Sequence, residues 1–158
     1  MLKKLVTGVL LLAVVLAVAA CSTKESDEEK AQKNQIIYNS VKISVDKVNS
    51  LFHKDVAEDE TPLLTSAKKE DAKSILDGYF DPALSDQILT HYITDKTIDN
   101  RIAVKPEPFF NQDILATKFE DAKVEGEKNE YTVTTKAGKY TVKKVEDSEQ
   151  YIVTKYEK

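Results

Sequence analysis

Cysteine is nearly missing from this sequence: Cys21 is the single one in 158 residues. That excludes a disulfide framework and any zinc site built from several thiolates. Glycine and proline are also scarce, at four residues each, which excludes collagen-like and low-complexity architectures. Tryptophan is absent, and histidine occurs only as His53 and His91. There is no Gly-x-Ser-x-Gly elbow, no Gly-rich phosphate loop and no His-Glu-x-x-His. The sequence patterns of serine hydrolases, phosphate-cradling loops and zinc proteases are therefore missing. A basic excess is missing too, with 23 Lys+Arg against 27 Asp+Glu. Such a balance argues against nucleic acid as a partner, because a basic face is needed to displace counterions from phosphates.

Charge is absent from Leu5 to Ala20, a 16-residue run that follows Lys3 and Lys4 and ends in Val18-Ala19-Ala20-Cys21. Sixteen residues fall short of the ~20 that span a hydrocarbon core. A charged start, an apolar middle and a small-residue exit describe a secretory signal. With Cys21 at the exit, the segment resembles the lipobox of bacterial lipoproteins. The resemblance implies a diacylglyceryl group on the Cys21 sulfur, cleavage before Cys21, and in some members acylation of the new amine. Each buried methylene contributes about 0.8 kcal/mol and one chain anchors only marginally, so two or three chains give a durable hold. The implied partner is a cell membrane, reached through N-terminal lipid, with the protein on its extracytoplasmic side. Removing residues 1–20 leaves 21 Lys+Arg against 27 Asp+Glu, a charge of −6.

Residues 21–35 are expected to be the lipidated Cys and a flexible tether, since Ser22 to Asn34 holds seven charged residues and one apolar one, Ala31. A folded domain over 36–158 follows. Ile37, Val41, Val45, Val48 and Phe52 share one helical face, predicting a helix of about 17 residues; a short strand over Val41, Ile43 and Val45 is the alternative. Thr65 or Ser66 is expected to cap a second helix carrying Ala72, Ile75, Leu76, Tyr79 and Phe80. Asp81 and Pro82 cap and begin a third, with Leu84, Ile88, Leu89 and Tyr92 on its buried side. Asp95 to Pro108 reads as irregular. Beyond Ile114 the period becomes two, with strands over Phe119–Glu125, Tyr131–Thr135, Tyr140–Val145 and Tyr151–Tyr156. The predicted fold is α+β: N-terminal helices packed on a C-terminal four-stranded antiparallel β-meander.

The Phe80-Asp81-Pro82 junction, the long first helix and the run Pro108-Phe109-Phe110-Asn111-Gln112-Asp113 before the meander resemble nuclear-transport-factor-2-like (cystatin-like cone) domains of bacterial envelope proteins. Members of that superfamily include small-molecule enzymes, ligand pockets and structural adaptors, so the resemblance implies a fold and no single activity.

Candidate chemistry is sparse. His53, at the end of the first helix, is expected as an imidazolium facing the negative end of the helix dipole. His91, Asp95 and Asp99 would align and could hold a divalent metal if the third helix continued; Thr94 and Thr97 argue against that, and neither a metal nor a cofactor is predicted. Tyr79, Tyr92, Phe109 and Phe110, with His91, Gln112 and Asp113, are the candidate ligand-binding group at the mouth of a cone. The alternative is that the aromatic members simply fill the core. Tyr131, Tyr140, Tyr151 and Tyr156 form either cross-strand pairs or an outward partner surface. The expected function is a non-enzymatic, lipid-anchored binding or accessory module of the cell envelope, taking an envelope protein or a small molecule. Two alternatives stand beside it: an envelope enzyme with His91 or Asp113 as acid/base, and a structural adaptor in a membrane complex.

Overall fold

The computed structural model describes residues 26–158; the signal segment and Cys21 lie outside the described residues. Helix α1 runs from Asp27 to Phe52, so the expectation of a flexible tether through residue 35 is corrected. Ser26 Oγ accepts the Glu29 amide at 3.2 Å, and the Glu29 carboxylate accepts the Ser26 amide at 2.8 Å. This reciprocal capping box satisfies two amides that would otherwise lack partners. Asp27, Glu28 and Glu29 also place negative charge in the first turn, where the helix dipole favours it. Local capping thus orders a segment that composition alone marks as tether.

Further along α1, the stripe Ile37, Val41, Val45, Val48 and Phe52 is fully buried and Ile43 is 55% exposed, which excludes the strand alternative. The helix lies across all four strands of the C-terminal sheet. That sheet is the expected meander in the order β5-β6-β7-β8, with β5 Lys123–Glu127, β6 Glu130–Thr135, β7 Gly138–Lys144 and β8 Tyr151–Glu157. Phe119–Asp121, expected in the first of these strands, forms a 3-10 turn ahead of it. The four tyrosines pair across strands: Tyr140 stands opposite Tyr156 in register, and Tyr131 meets Tyr151 edge-on at 5.9 Å.

Between α1 and the meander lie two helices and a second sheet. α2 spans Lys69–Asp77 and begins at Lys68 without a side-chain cap. The Thr65 hydroxyl instead donates to the Ser50 carbonyl at 3.0 Å, so neither Thr65 nor Ser66 caps α2. α3 spans Pro82–Tyr92, with Asp81 capping the Ala83 amide at 2.9 Å as its sequence predicts. Asp95–Pro108 is not wholly irregular. β3 (Ile93–Ile98) and β4 (Arg101–Val104) form a hairpin around Asp99 and Asn100, which have φ of 51° and 62°. Two central residues with positive φ match the twist of a tight hairpin, and Asp and Asn tolerate that conformation. β1 (Asp55–Val56) and β2 (Pro62–Leu63) complete a sheet of order β1-β2-β4-β3.

Phe80 and Val153 join the two halves. The Val153 amide donates to the Tyr79 carbonyl at 3.0 Å, and the Asp81 amide donates to the Val153 carbonyl at 2.9 Å. The α2–α3 junction thereby covers part of the β8 edge. Among the described residues no helix is long and apolar enough to cross a membrane.

Gly138 opens β7 at φ 135° beneath the Tyr156 ring, where a Cβ would stand 2.6 Å from a ring carbon. Gly138→Ala should therefore cost about 1–3 kcal/mol, measured by denaturant unfolding; an unchanged midpoint would show that the sheet relaxes freely there.

Candidate functional site

The last turn of α1 builds one wall of a surface cleft of about 500 Å³. Asn49, Ser50, His53 and Lys54 face Pro106, Pro108 and Gln112 across it. Asn49 and His53 are four apart and so share a helix face. The opposite wall is the loop between β4 and α4 (Asp113–Ala116), kept extended by its prolines.

Tyr92, the final residue of α3, lies in the core behind His53. Its ring is fully buried and stacks on Phe52 at 4.3 Å with 9° between planes. Its hydroxyl accepts the Phe109 amide at 2.9 Å and lies 3.2 Å from His53 Nε2. Burial raises the Tyr92 phenol above its ordinary pKa, so it keeps a proton to donate, and His53 Nε2 is the available acceptor. With the phenol as donor, Nε2 is the accepting nitrogen and the ring is the neutral Nδ1–H tautomer. Desolvation, and secondarily the charge of His91, lower its pKa. This corrects the expectation of an imidazolium at the helix end. Its backbone does cap α1, donating to the Asn49 carbonyl at 2.8 Å.

The loop is anchored at further points. His91 Nε2 lies 2.7 Å from the Glu107 carbonyl, and because a carbonyl only accepts, that nitrogen carries the proton. His91 also meets the rings of Tyr92 and Phe109 edge-on, at 4.8 and 5.4 Å. Gln112 donates to the Phe110 carbonyl at 3.0 Å and accepts a hydrogen bond from the Asn49 amide. The Asn111 amide donates to the Tyr156 hydroxyl at 3.1 Å, which itself donates to the Ala137 carbonyl at 3.2 Å. A segment without regular structure is thus fixed by side chains from α1, α3 and β8.

The candidate residues read from sequence divide into three groups. Gln112 lines the cleft. Tyr92 and Phe110 are core, and Phe109 packs half-buried behind the loop; the core alternative holds for the first two. Tyr79 and Asp113 stand elsewhere. Tyr79 lies under the Lys47 ammonium, 5.4 Å from its ring centre, beside Ile43 and Leu115. Asp113 is exposed and opens α4, its amide donating to Asn111 Oδ1 at 3.0 Å. His91 and Asp113 have separate partners, and no hydrogen bond joins them. The His91-Asp95-Asp99 alignment is corrected as well, because α3 ends at Tyr92 and both acids lie beyond it, in β3 and its turn. No cluster of three metal-ligating side chains occurs among the described residues.

The sequence does not single out Asn49, Ser50, Lys54 or Pro106 as site residues, and it gives His53 a helix-end role and Pro108 a place in the loop motif without joining them in a cleft. The Asn49/His53 spacing was legible, but its partner wall lies over fifty residues away in the chain. Chemically, the cleft offers a neutral imidazole, an amide pair, a hydroxyl and one ammonium. Ser50 is no nucleophile paired to His53, since its hydroxyl donates to the Asp46 carbonyl at 2.9 Å. These groups can recognise a ligand by hydrogen bonding and charge.

The lowered pKa of His53 has a sign in stability. An unfolded chain binds the proton near the ordinary value of 6.5, whereas the folded chain resists it. The contribution is present above that pH and is lost as pH falls through the folded value. The melting temperatures of the parent and His53→Gln should differ at pH 7 and converge toward pH 5; a constant gap would contradict a neutral His53.

Comparison of the chain with protein-family models, curated proteins and solved structures found no match, so the cleft is interpreted on its geometry alone.

Proposed function

We propose that this protein is a lipid-anchored extracytoplasmic binding module, held to a cell membrane at Cys21, that takes a ligand into the cleft at the far end of α1. The observation that carries this reading is the position and chemistry of the cleft. It has recognition groups and no nucleophile–base pair, and it lies at the opposite end of α1 from the lipid attachment point. Ser26 follows Cys21 by five residues, a reach of at most about 18 Å. The 26 residues of α1 then extend about 39 Å at 1.5 Å each. A capped helix so close to the anchor would act as a strut, separating ligand uptake from the lipid surface.

The nuclear-transport-factor-2-like cone belongs to the same proposal. Support comes from one long helix laid across an antiparallel meander, and from the register shift between Thr141 and Val142, which bends a sheet. The hairpins β1–β2 and β3–β4 between helices also agree with it, although no hairpin there is legible in the sequence.

A structural adaptor in a membrane complex is the second reading. It is favoured by Ile36 and Ile43, 54% and 55% exposed and one heptad apart on α1. In-cell crosslinking from these positions separates the two, since an adaptor yields one stoichiometric protein partner. The enzyme alternative draws no support from His91 and Asp113, which share no hydrogen bond.

Cys21→Ser should abolish labelling by radioactive fatty acid and release the protein or stall its processing; unchanged mass and membrane retention would refute the anchor. For the cleft, amide shifts in a fragment screen should change first at His53, Lys54 and Gln112. First changes at another surface would refute the site.

A further inference from the structure

The loop that walls the cleft at the end of α1 borders a second hollow as well. Pro108 also lines a second cleft, of about 310 Å³, with Phe110, Asn111, Lys136, Ala137 and Lys158. The loop is thus a ridge between two hollows, with Lys54 on one side and Lys136 and Lys158 on the other. None of these lysines forms an ion pair among the described residues. No carboxylate side chain lines either hollow: Glu107, exposed between the two prolines, and Asp113, at the start of α4, line neither. Three other surface clefts carry acids: Glu146, Asp147 and Glu149 in one, Asp27, Glu125 and Glu127 in another, Asp46 in a third. In a chain whose acids outnumber its bases, two hollows lined by three lysines without ion pairs and by no acidic side chain are a local reversal of charge, and Lys54 and Lys136 maintain it on either side of the ridge even where the main-chain carboxylate of Lys158 offsets that residue's ammonium. Opposite charge on an occupant is the complement.

The ridge also limits the kind of anion. Pro106 and Pro108 have no amide N–H to offer. The amides of Phe109 and Asn111 are already bonded to the hydroxyls of Tyr92 and Tyr156. Two of the ridge's amides are thus taken and two positions have none to give, and no arginine lines either hollow for a bidentate grip on phosphate. Three separated point charges around exposed proline surface match an occupant with spaced carboxylates and apolar groups between them. A phosphate polymer has nothing to cover the prolines.

We propose that the two hollows form one docking groove for an extended acidic peptide segment of a partner protein. Its carboxylates meet Lys54 on one side of the Pro108 ridge and Lys136 and Lys158 on the other, and its apolar side chains cover Pro106 and Pro108. This rests on the reading of the α1 cleft as a binding site, and names its occupant.

The test is selection of a displayed twelve-residue random peptide library on the full-chain protein, followed by affinity measurement on the recovered peptides. Recovered peptides should be net acidic with interspersed apolar residues. Their affinity should weaken at least tenfold in the double variant Lys54→Glu, Lys136→Glu, whose exposed positions leave the melting temperature unchanged, and should weaken with added salt. Long-chain polyphosphate should displace them only at much higher concentration. Neutral or basic peptides, no enrichment, or tighter binding of polyphosphate would each overturn the acidic-peptide occupant. Ser50→Trp, which fills the first hollow without changing charge, separates the two claims when its melting confirms folding. Loss with Ser50→Trp but not with lysine reversal keeps the binding site and removes the acidic occupant. Loss with neither removes both.

Discussion

One buried hydroxyl joins the three parts of the molecule that make the cleft. Tyr92 ends α3, its ring packs on the end of α1 through Phe52, and its oxygen holds the loop amide of Phe109 on one side and the His53 imidazole on the other. A buried amide without a partner costs about 1–3 kcal/mol, so the loop has a reason to stay where the hydroxyl holds it. The same contact sets the charge of His53, because a ring nitrogen that accepts a phenol proton cannot also carry one. One oxygen atom thus ties the position of the loop to the His53 imidazole.

Behind that contact is an aromatic layer that fixes the loop from the other side. Phe110 stacks on Phe80 at 5.6 Å and meets the Tyr156 ring at 4.9 Å, while Tyr156 packs against Tyr140 at 4.9 Å. Such pairs each add about 0.5–1.5 kcal/mol beyond their buried area. The layer links the α2–α3 junction, the loop and the meander, which explains why a proline-rich segment without regular structure keeps one conformation. The aromatic residues expected at the mouth of a ligand pocket are here the support beneath the cleft-lining loop.

The parts of this arrangement legible in the sequence are those encoded by short-range periodicity. The α1 stripe, the Asp81-Pro82 helix start and the alternating Tyr-x-Val strands follow from spacing within a few residues. Ser26-x-x-Glu29 was equally local, but the charge density around it masked a helix start. β3 was hidden because Asp95, Lys96 and Thr97 are all exposed, so its sequence lacks the alternation of a half-buried strand. β1 and β2 are two residues each, below any readable period. The cleft was beyond reach for another reason. Its bonds join His53 to Tyr92 and Asn49 to Gln112, separated by 39 and 63 residues, and such contacts leave no spacing to recognise.

If the anchor at Cys21 and the strut of α1 are correct, the molecule separates two tasks along one helix, with lipid attachment near its start and recognition at its end. That division holds only if the recognition end is rigid, which returns to the Tyr92 hydroxyl. Native-state hydrogen exchange of the Phe109 amide in Tyr92→Phe measures this directly. The account predicts that exchange of this amide accelerates by about tenfold or more, the equivalent of losing at least 1.4 kcal/mol of protection, while the meander amides keep theirs. Unchanged protection at Phe109 would show that the loop is held without this hydroxyl and would contradict the account.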